Sequence, residues 1–476
     1  MMRKLLFLAG PALATFALFA CEDSGSGSSS GSFTVEAGGF EASPPSEAGN
    51  PDVAVDAPVI PKTVTVTVVR GALPAQGISV VFNDAAGAVL ETKTTGADGK
   101  ATSTPGMSPA QASALLGSTS TRRIITWTSV RPGDQLLARD IGTDQTGTYV
   151  LTTDAKPVGA AQLTASIGGC SGINASSPVT VFMNTDCTRP TTAILARAFS
   201  PGGPPAAPLA YAFAKGLPAG PTDGGAGSAT AGPWVVPTDA TVTAKNLPAD
   251  SNANALLFEI ADNLAIENPT GSPPALVAGA ATATFKVAPG FADAYQFAVR
   301  VRPFATFGAS QTVAKRGAVA TSTDVDLAAL LPTLESADIT TTTSLRPQVD
   351  WTTVGGATLN ATDGGSVFIS WYNSVSETNG AWTIIVAPGT KTVKAPALPA
   401  SLSAWAPRSA DEAGQGASFN SPTVLFVEGD IVPDYDAFRS AAALVLPSAE
   451  VNDRDLRAFL PATGTFKLTS FTPPGK

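Results

Sequence analysis

Three cysteines, six tryptophans and one dense run of carboxylates are the side chains of this 476-residue chain best equipped for chemistry, and no histidine accompanies them. Cys170 sits in Gly168-Gly169-Cys170-Ser171-Gly172 and Cys187 ends Asn184-Thr185-Asp186-Cys187, both turn-like stretches at expected strand ends. Two such cysteines in an oxidising compartment are expected to pair, closing a loop worth about 3 kcal/mol in chain entropy. The other reading of the pair is two reduced, buried thiols.

The missing histidine excludes Ser-His-Asp and Cys-His catalysis, His-ligated zinc and imidazole proton transfer. Carboxylate-only chemistry such as glycoside hydrolysis survives that exclusion. The densest acids are Glu428, Asp430, Asp434 and Asp436 in the run from Glu428 to Asp436. Hard cations such as calcium need oxygen ligands clustered in this way, but the spacing misses the EF-hand loop. The simpler reading is a solvated loop entering a helix at Asp436, with acids favoured at the helix start. Trp351, Trp371, Trp382 and Trp405 could form a sugar-stacking platform. Val367, Ile369 and Trp371 nevertheless share one strand face, as do Trp382, Ile384 and Val386, which is what a sandwich core requires. Asp98, Asp223 and Asp363 each precede glycine and read as hairpin turns. Arg122-Arg123 reads as a solvent-facing basic pair. No catalytic residue, cofactor site or metal site is expected.

The N-terminus sets the compartment. Met1-Met2-Arg3-Lys4 is a short basic start, and a largely apolar run from Leu5 to Phe19 follows it. That is the layout of a cleavable signal, too short to span a bilayer comfortably. The run ends in Leu18-Phe19-Ala20-Cys21, which resembles a bacterial lipobox. The resemblance implies cleavage between Ala20 and Cys21, thioether diacylation of Cys21, and a mature chain held in a membrane by lipid. Multiple acyl chains anchor stably where one binds marginally. The expected location is the cell envelope, at the outer membrane, facing the periplasm or the cell surface.

Removing residues 1–20 takes away Arg3 and Lys4 and no acid, which moves the net charge from −9 to −11. Seven acids and no Lys or Arg lie between Cys21 and Pro61, so the acidity belongs mostly to this stretch. The rest of the chain is therefore near −4, from −11 less those seven acids, which argues against a nucleic-acid partner. Ser24 to Ser32 is wholly Ser and Gly, and residues 21–61 read as a disordered tether with an expected span of about 35 Å.

Beyond it, Val64, Val66 and Val68 alternate with threonines, as do Ile78, Val80 and Phe82 with their neighbours, in period-two strands. The turns between carry Pro74-x-x-Gly77-x-x-Val80, Asp84-x-x-Gly87 and Thr95-x-x-Asp98-Gly99-Lys100-Ala101. This series resembles the carboxypeptidase regulatory-like and bacterial Ig-like β-sandwiches, and the resemblance implies a fold rather than an activity. Within the same unit Ser108-Pro109-Ala110-Gln111 reads as a capped helix start that Gly117 ends. Ala255 to Ala261 fits either a short helix or a buried strand. Val130-Arg131-Pro132-Gly133, Val287-Ala288-Pro289-Gly290 and Val386-Ala387-Pro388-Gly389 each join runs of β-formers, Gly accepting the positive φ of a type II turn. Pro347 to Trp351 and Val367 to Tyr372 are loosely similar to a fibronectin type III-like sandwich.

The expected fold class is all-β, with two or three tandem β-sandwich modules (Ig-like or prealbumin-like) after the tether. Their expected extents are 62–156, 157–310 with the disulfide, and 311–476. The expected function is a non-enzymatic envelope lipoprotein displaying these modules for binding, adhesion or envelope structure. Its expected partners are the membrane, through Cys21, and a protein or glycan ligand, with no nucleic acid. The alternative is an envelope carbohydrate-binding protein or carboxylate-dependent hydrolase, which would gather acids and an exposed tryptophan in one groove.

Overall fold

The computed structural model describes residues 62–473, except 71–72, 118–120, 141–144, 185–186, 188–190, 203–206, 219–224, 263, 269–274, 277–278, 341–344, 374–376, 408–417, 431 and 446–462. The expected signal sequence, Cys21 and the tether lie outside the described residues, as does Asp223. What is described is all-β sandwich structure, with its strands sorted into four bodies.

The first body comprises β1 (Thr65–Arg70), β2 (Leu73–Pro74), β3 (Ser79–Asn83), β4 (Val89–Thr94), β5 (Lys100–Thr102), β6 (Gln111–Gly117), β7 (Thr121–Thr128) and β8 (Gln135–Asp140). The alternating valines do what their period demands: Val64, Val66 and Val68 are fully buried, against Phe82 and Trp127 of the facing sheet. The second comprises β9 (Gln145–Thr153), β10 (Gln162–Ile167), β11 (Cys170–Asn174), β12 (Val179–Asn184), β13 (Thr191–Phe199), β14 (Ala210–Pro218) and β15 (Ala226–Ala231). The third comprises β16 (Thr238–Leu247), β17 (Ser251–Ala261), β18 (Leu264–Glu267), β19 (Ala275–Leu276), β20 (Gly279–Val287), β21 (Ala294–Pro303), β22 (Ala309–Ala318) and β23 (Ser322–Asp326). The fourth comprises β24 (Leu334–Thr340), β25 (Gln348–Thr353), β26 (Gly364–Asn373), β27 (Thr378–Val386), β28 (Thr392–Lys394), β29 (Ser418–Phe419), β30 (Thr423–Gly429), the helix α1 (Tyr435–Val445) and β31 (Gly464–Phe471).

One closure recurs. The first strand of a body pairs in parallel with its last: β1 with β8, β9 with β15, and β16 with β23. These pairings place the divisions near 141–144, 232–237 and 327–333. The expected boundary at 156/157 therefore falls inside the second body, and the one at 310/311 cuts β22. The expected middle module holds material from two bodies with separate cores.

Bodies one, three and four are not beads on a string. β7 pairs in parallel with β27, from Thr121↔Asn379 to Trp127↔Ile385. β22 pairs antiparallel with β31, from Ala309↔Phe471 to Arg316↔Gly464. One hydrogen-bonded path thus runs β18-β17-β21-β22-β31-β30-β26-β27-β7-β6-β3-β4 through three bodies. Its two faces carry separate cores, one including Phe82, Trp127 and Leu425 and the other Trp371, Trp382 and Phe426.

Burial on both faces explains the principal local misreading. Residues 108–117 form no helix: Gln111–Gly117 is β6, with Ala112 to Leu116 all buried. A strand covered on both sides shows no alternation, so an Ala- and Leu-rich run looks helical. Ala255 to Ala261 resolves in the same way as part of buried β17. The turn motifs hold. Gly133, Gly290 and Gly389 take φ of 106°, 81° and 72°, and the next N–H closes each turn onto the residue before proline (Asp134 to Arg131, Phe291 to Ala288, Thr390 to Ala387). Each turn carries the chain from one sheet to the sheet opposite, from β7 to β8, β20 to β21 and β27 to β28.

Candidate functional site

Cys170 and Cys187 form a disulfide, with Cα atoms 5.9 Å apart. Both are buried in the core of the second body. The bond ties the start of β11 to the turn beyond β12, the two strand-end positions their turn-like surroundings suggest.

Trp371 and Trp382 are 2% and 0% exposed, and Trp351 is 3% exposed; Trp405 packs half-buried against the same core. Trp382 Nε1–H donates to Thr126 Oγ1 across the β7–β27 seam at 2.8 Å, and Thr126 is linked in turn to Ser113 at 2.7 Å. Trp371 lies over Gly380, where a Cβ would meet its indole at 2.0 Å. These indoles fill the sandwich and lock the seam. A crevice beside the Pro388-Gly389 turn is lined by Trp351, Thr353, Ala357, Leu359, Gly389, Thr390 and Lys391, with no carboxylate among them.

The acids of the 428–436 run disperse to separate partners. Glu428 pairs with Lys467 at 2.7 Å. Asp430 accepts the Thr465 N–H at 2.7 Å, and Asp434 accepts the Ala437 N–H at 2.9 Å in the first turn of α1. Asp436 pairs with Arg131 at 2.9 Å and Arg439 at 3.2 Å. The helix expected at Asp436 is there, beginning at Tyr435. No group of three or more acids or cysteines among the described residues is arranged to hold a metal. Asp363 accepts the Gly429 N–H at 2.8 Å. Burial raises its pKa against the pull of that bond, with Glu428 and Asp434 adding to the rise. Arg122 and Arg123 are half-buried rather than solvent-facing, and Arg122 donates to the Ala404 carbonyl.

Two charged clusters escape a reading of the sequence. In the first, Arg439 on α1 is fully buried, with Asp134 at 2.7 Å and Asp436 at 3.2 Å. It donates to the Ser129 carbonyl at 2.5 Å and lies 5.2 Å from the Tyr435 ring centroid. Tyr435 donates to the Thr128 carbonyl at 3.0 Å. A helix of the fourth body is thereby pinned to the Pro132-Gly133 arch of the first. The sequence signal was an Asp and an Arg three residues apart on one helix.

The second cluster is the joint between the second and third bodies. Ala193, Leu195 and Tyr211 of the second body pack against Ala261, Ile266, Ala288 and Phe291 of the third. Arg197 Nη2 donates to the Glu267 carbonyl at 2.8 Å, and Tyr211 Oη to the Lys286 carbonyl at 2.5 Å. At the rim Lys215 meets Asp293 at 2.5 Å, and the Gly216 N–H meets Asp262 at 2.8 Å. Inside lies Glu259, fully buried on β17. Its carboxyl accepts the Asn268 amide at 3.2 Å and the Ala288 N–H at 3.1 Å. Burial pushes its pKa up to about 7, while the Arg197 charge and those two hydrogen bonds pull down. Burial and the Glu259 charge in turn push Tyr295 up to about 12 and raise Tyr211. A carboxyl inside an otherwise apolar run, Leu256-Leu257-Phe258-Glu259-Ile260, was the available signal.

Among the described residues, no helix is long and apolar enough to cross a membrane. No family model matches the chain, and no curated protein matches it. Among solved structures it is similar to the Bacillus anthracis TIE protein, at 10% identity and a TM-score of 0.14 over 50% of this chain and 44% of that one. It is also similar to dimeric latent PorU from Porphyromonas gingivalis, at 8% identity and a TM-score of 0.13 over 77% of this chain and 32% of that one. A third is the native conformation of E. coli alpha-2-macroglobulin, at 10% identity and a TM-score of 0.11 over 83% of this chain and 26% of that one. The chain spans less than half the length of each of these structures.

Proposed function

We propose that this chain is a cell-envelope lipoprotein, held to a membrane by lipid on Cys21, which displays a stiff row of β-bodies for binding, adhesion or envelope structure. It performs no catalysis. The observation that carries this reading is the unbroken strand path through three bodies. Bodies joined edge to edge by main-chain ladders hold fixed relative positions, which is useful in a spacer or display platform. The basic-then-apolar start, the Leu18–Cys21 motif and the acidic Ser/Gly tether support the anchored placement. The burial of Trp351, Trp371 and Trp382, and the separate partners taken by Glu428, Asp430 and Asp436, favour this reading over a carbohydrate-binding protein or carboxylate-dependent hydrolase.

The anchor is tested by metabolic palmitate labelling of cells expressing the full-length chain. Label is expected in the wild-type protein and absent from Cys21→Ala. An unlabelled wild type, or label that survives Cys21→Ala, would remove the anchor. Protease shaving of intact cells then distinguishes display at the surface from residence in the periplasm.

A further inference from the structure

We propose that this chain carries tensile load, its first three bodies each being closed by a parallel strand pair that a pull along the chain meets in shear. The inference goes beyond display and does not need the lipid on Cys21. It needs only the pairing of each body's first and last strands.

Chain order puts the entry and the exit of each body on that pair. The chain enters the first body through β1 and leaves through β8, the second through β9 and β15, and the third through β16 and β23. β1 and β8 align over six residues, from Thr65↔Gln135 to Arg70↔Asp140. β9 and β15 align over six, from Thr148↔Ala226 to Thr153↔Ala231, and β16 and β23 over five, from Thr241↔Ser322 to Lys245↔Asp326. In a parallel pair the start of one strand and the end of the other lie at opposite ends of the ladder. A pull applied at entry and exit therefore slides the two strands past each other, and all the hydrogen bonds between them share the load. An antiparallel closing pair would put entry and exit side by side, and its bonds would break one at a time.

Each entry strand is held on its other edge as well, β1 by β5, β9 by β12 and β16 by β20. Its alternate side chains are buried: Val66 and Val68 on β1, Tyr149 and Leu151 on β9, Val242 and Ala244 on β16. A slip of one residue would turn each of them outward. The next register that restores the core is two residues away, about 7 Å, so the ladder must break as a whole before it can re-form. Side chains also strap the third body's pair. Lys245 meets Asp324 at 2.5 Å, and the Asn246 amide donates to Asp326 at 2.7 Å. The fourth body is closed differently, its first strand β24 pairing antiparallel with β25 and its last, β31, lying between β22 and β30.

The third body has exposed positions where the test needs them: Thr238 at the entry, Ala328 just past the exit and Ala320 just before β23 begins. An azide-bearing amino acid replaces Thr238 together with either Ala328 or Ala320, in the full chain carrying Cys21→Ala. DNA handles coupled to the azides are drawn apart in an optical trap at one pulling speed. Thr238 with Ala328 loads opposite ends of the β16–β23 ladder, whereas Thr238 with Ala320 loads the same end. The first geometry should rupture at a force on the order of threefold higher, because the whole ladder resists at once. Circular dichroism of both labelled chains should match the wild type. Equal rupture forces, or a lower force for Thr238 with Ala328, would overturn the proposal. No lipid is attached in this chain, so the outcome is separate from that of palmitate labelling.

Discussion

Arg439→Ala should lower the stability of the folded chain by about 3–5 kcal/mol, because it strips one partner from a buried ion pair. Asp134, only 14% exposed at its side chain, would lose the guanidinium 2.7 Å away. The Ser129 carbonyl would lose its donor, and Ser129 already holds a φ of 54°, which is costly for a residue other than glycine. The stacked Tyr435 face would also lose its cation. Urea denaturation monitored by intrinsic fluorescence measures the loss. Asp134→Asn in the same chain as Arg439→Met should recover part of it, since replacing both charges removes the stranded one. A loss below about 1 kcal/mol for Arg439→Ala would show that α1 is not pinned to the first body.

Ile384→Pro should be worse still. Ile384 is fully buried and stands between Val367 on β26 and Thr126 on β7. Proline there removes a ladder N–H from a strand paired on both sides and costs about 3 kcal/mol or more before any repacking. The lesion sits two residues from Trp382, whose indole bridges to Thr126. Both bodies flanking the seam should therefore weaken together. Limited proteolysis should cut at lower protease concentration in the first and fourth bodies alike, with the disulfide-bonded second body unaffected. Cleavage confined to the fourth body would mean that the seam carries no mechanical coupling.

Much of the local structure was legible because period-two alternation is the direct signature of a strand with one face buried. Val64, Val66 and Val68 show it, and the Asp84–Gly87 and Asp98–Gly99 turns follow from side-chain acceptors and positive φ. The Cys170–Cys187 bond and the helix after Asp434 were legible for similar local reasons. β6 and β17 were not, because residues covered on both faces lose the alternation that distinguishes strand from helix. The β7–β27 seam joins residues about 258 positions apart in the chain, and nothing in a hydrophobic pattern specifies which two edges will meet. That pairing joins the first body to the fourth, while the parallel closures β9–β15 and β16–β23 set where the divisions between bodies fall. Glu259 and Arg439 were visible as isolated charges, but their roles depend on partners from other bodies: Arg197 for one, Asp134 for the other. Cys21 lies outside the described residues, and its role stands on the motif alone.

The claim that bears the rest is that three bodies share one continuous sheet. Hydrogen–deuterium exchange of the native protein reads it directly. Amides of 121–127 and 379–385 should exchange as slowly as those of the interior pair β21 and β22, because both edges are sealed by each other. Exchange along these two segments as rapid as at the edge strand β4 would mean that the edges are open to solvent and the bodies independent.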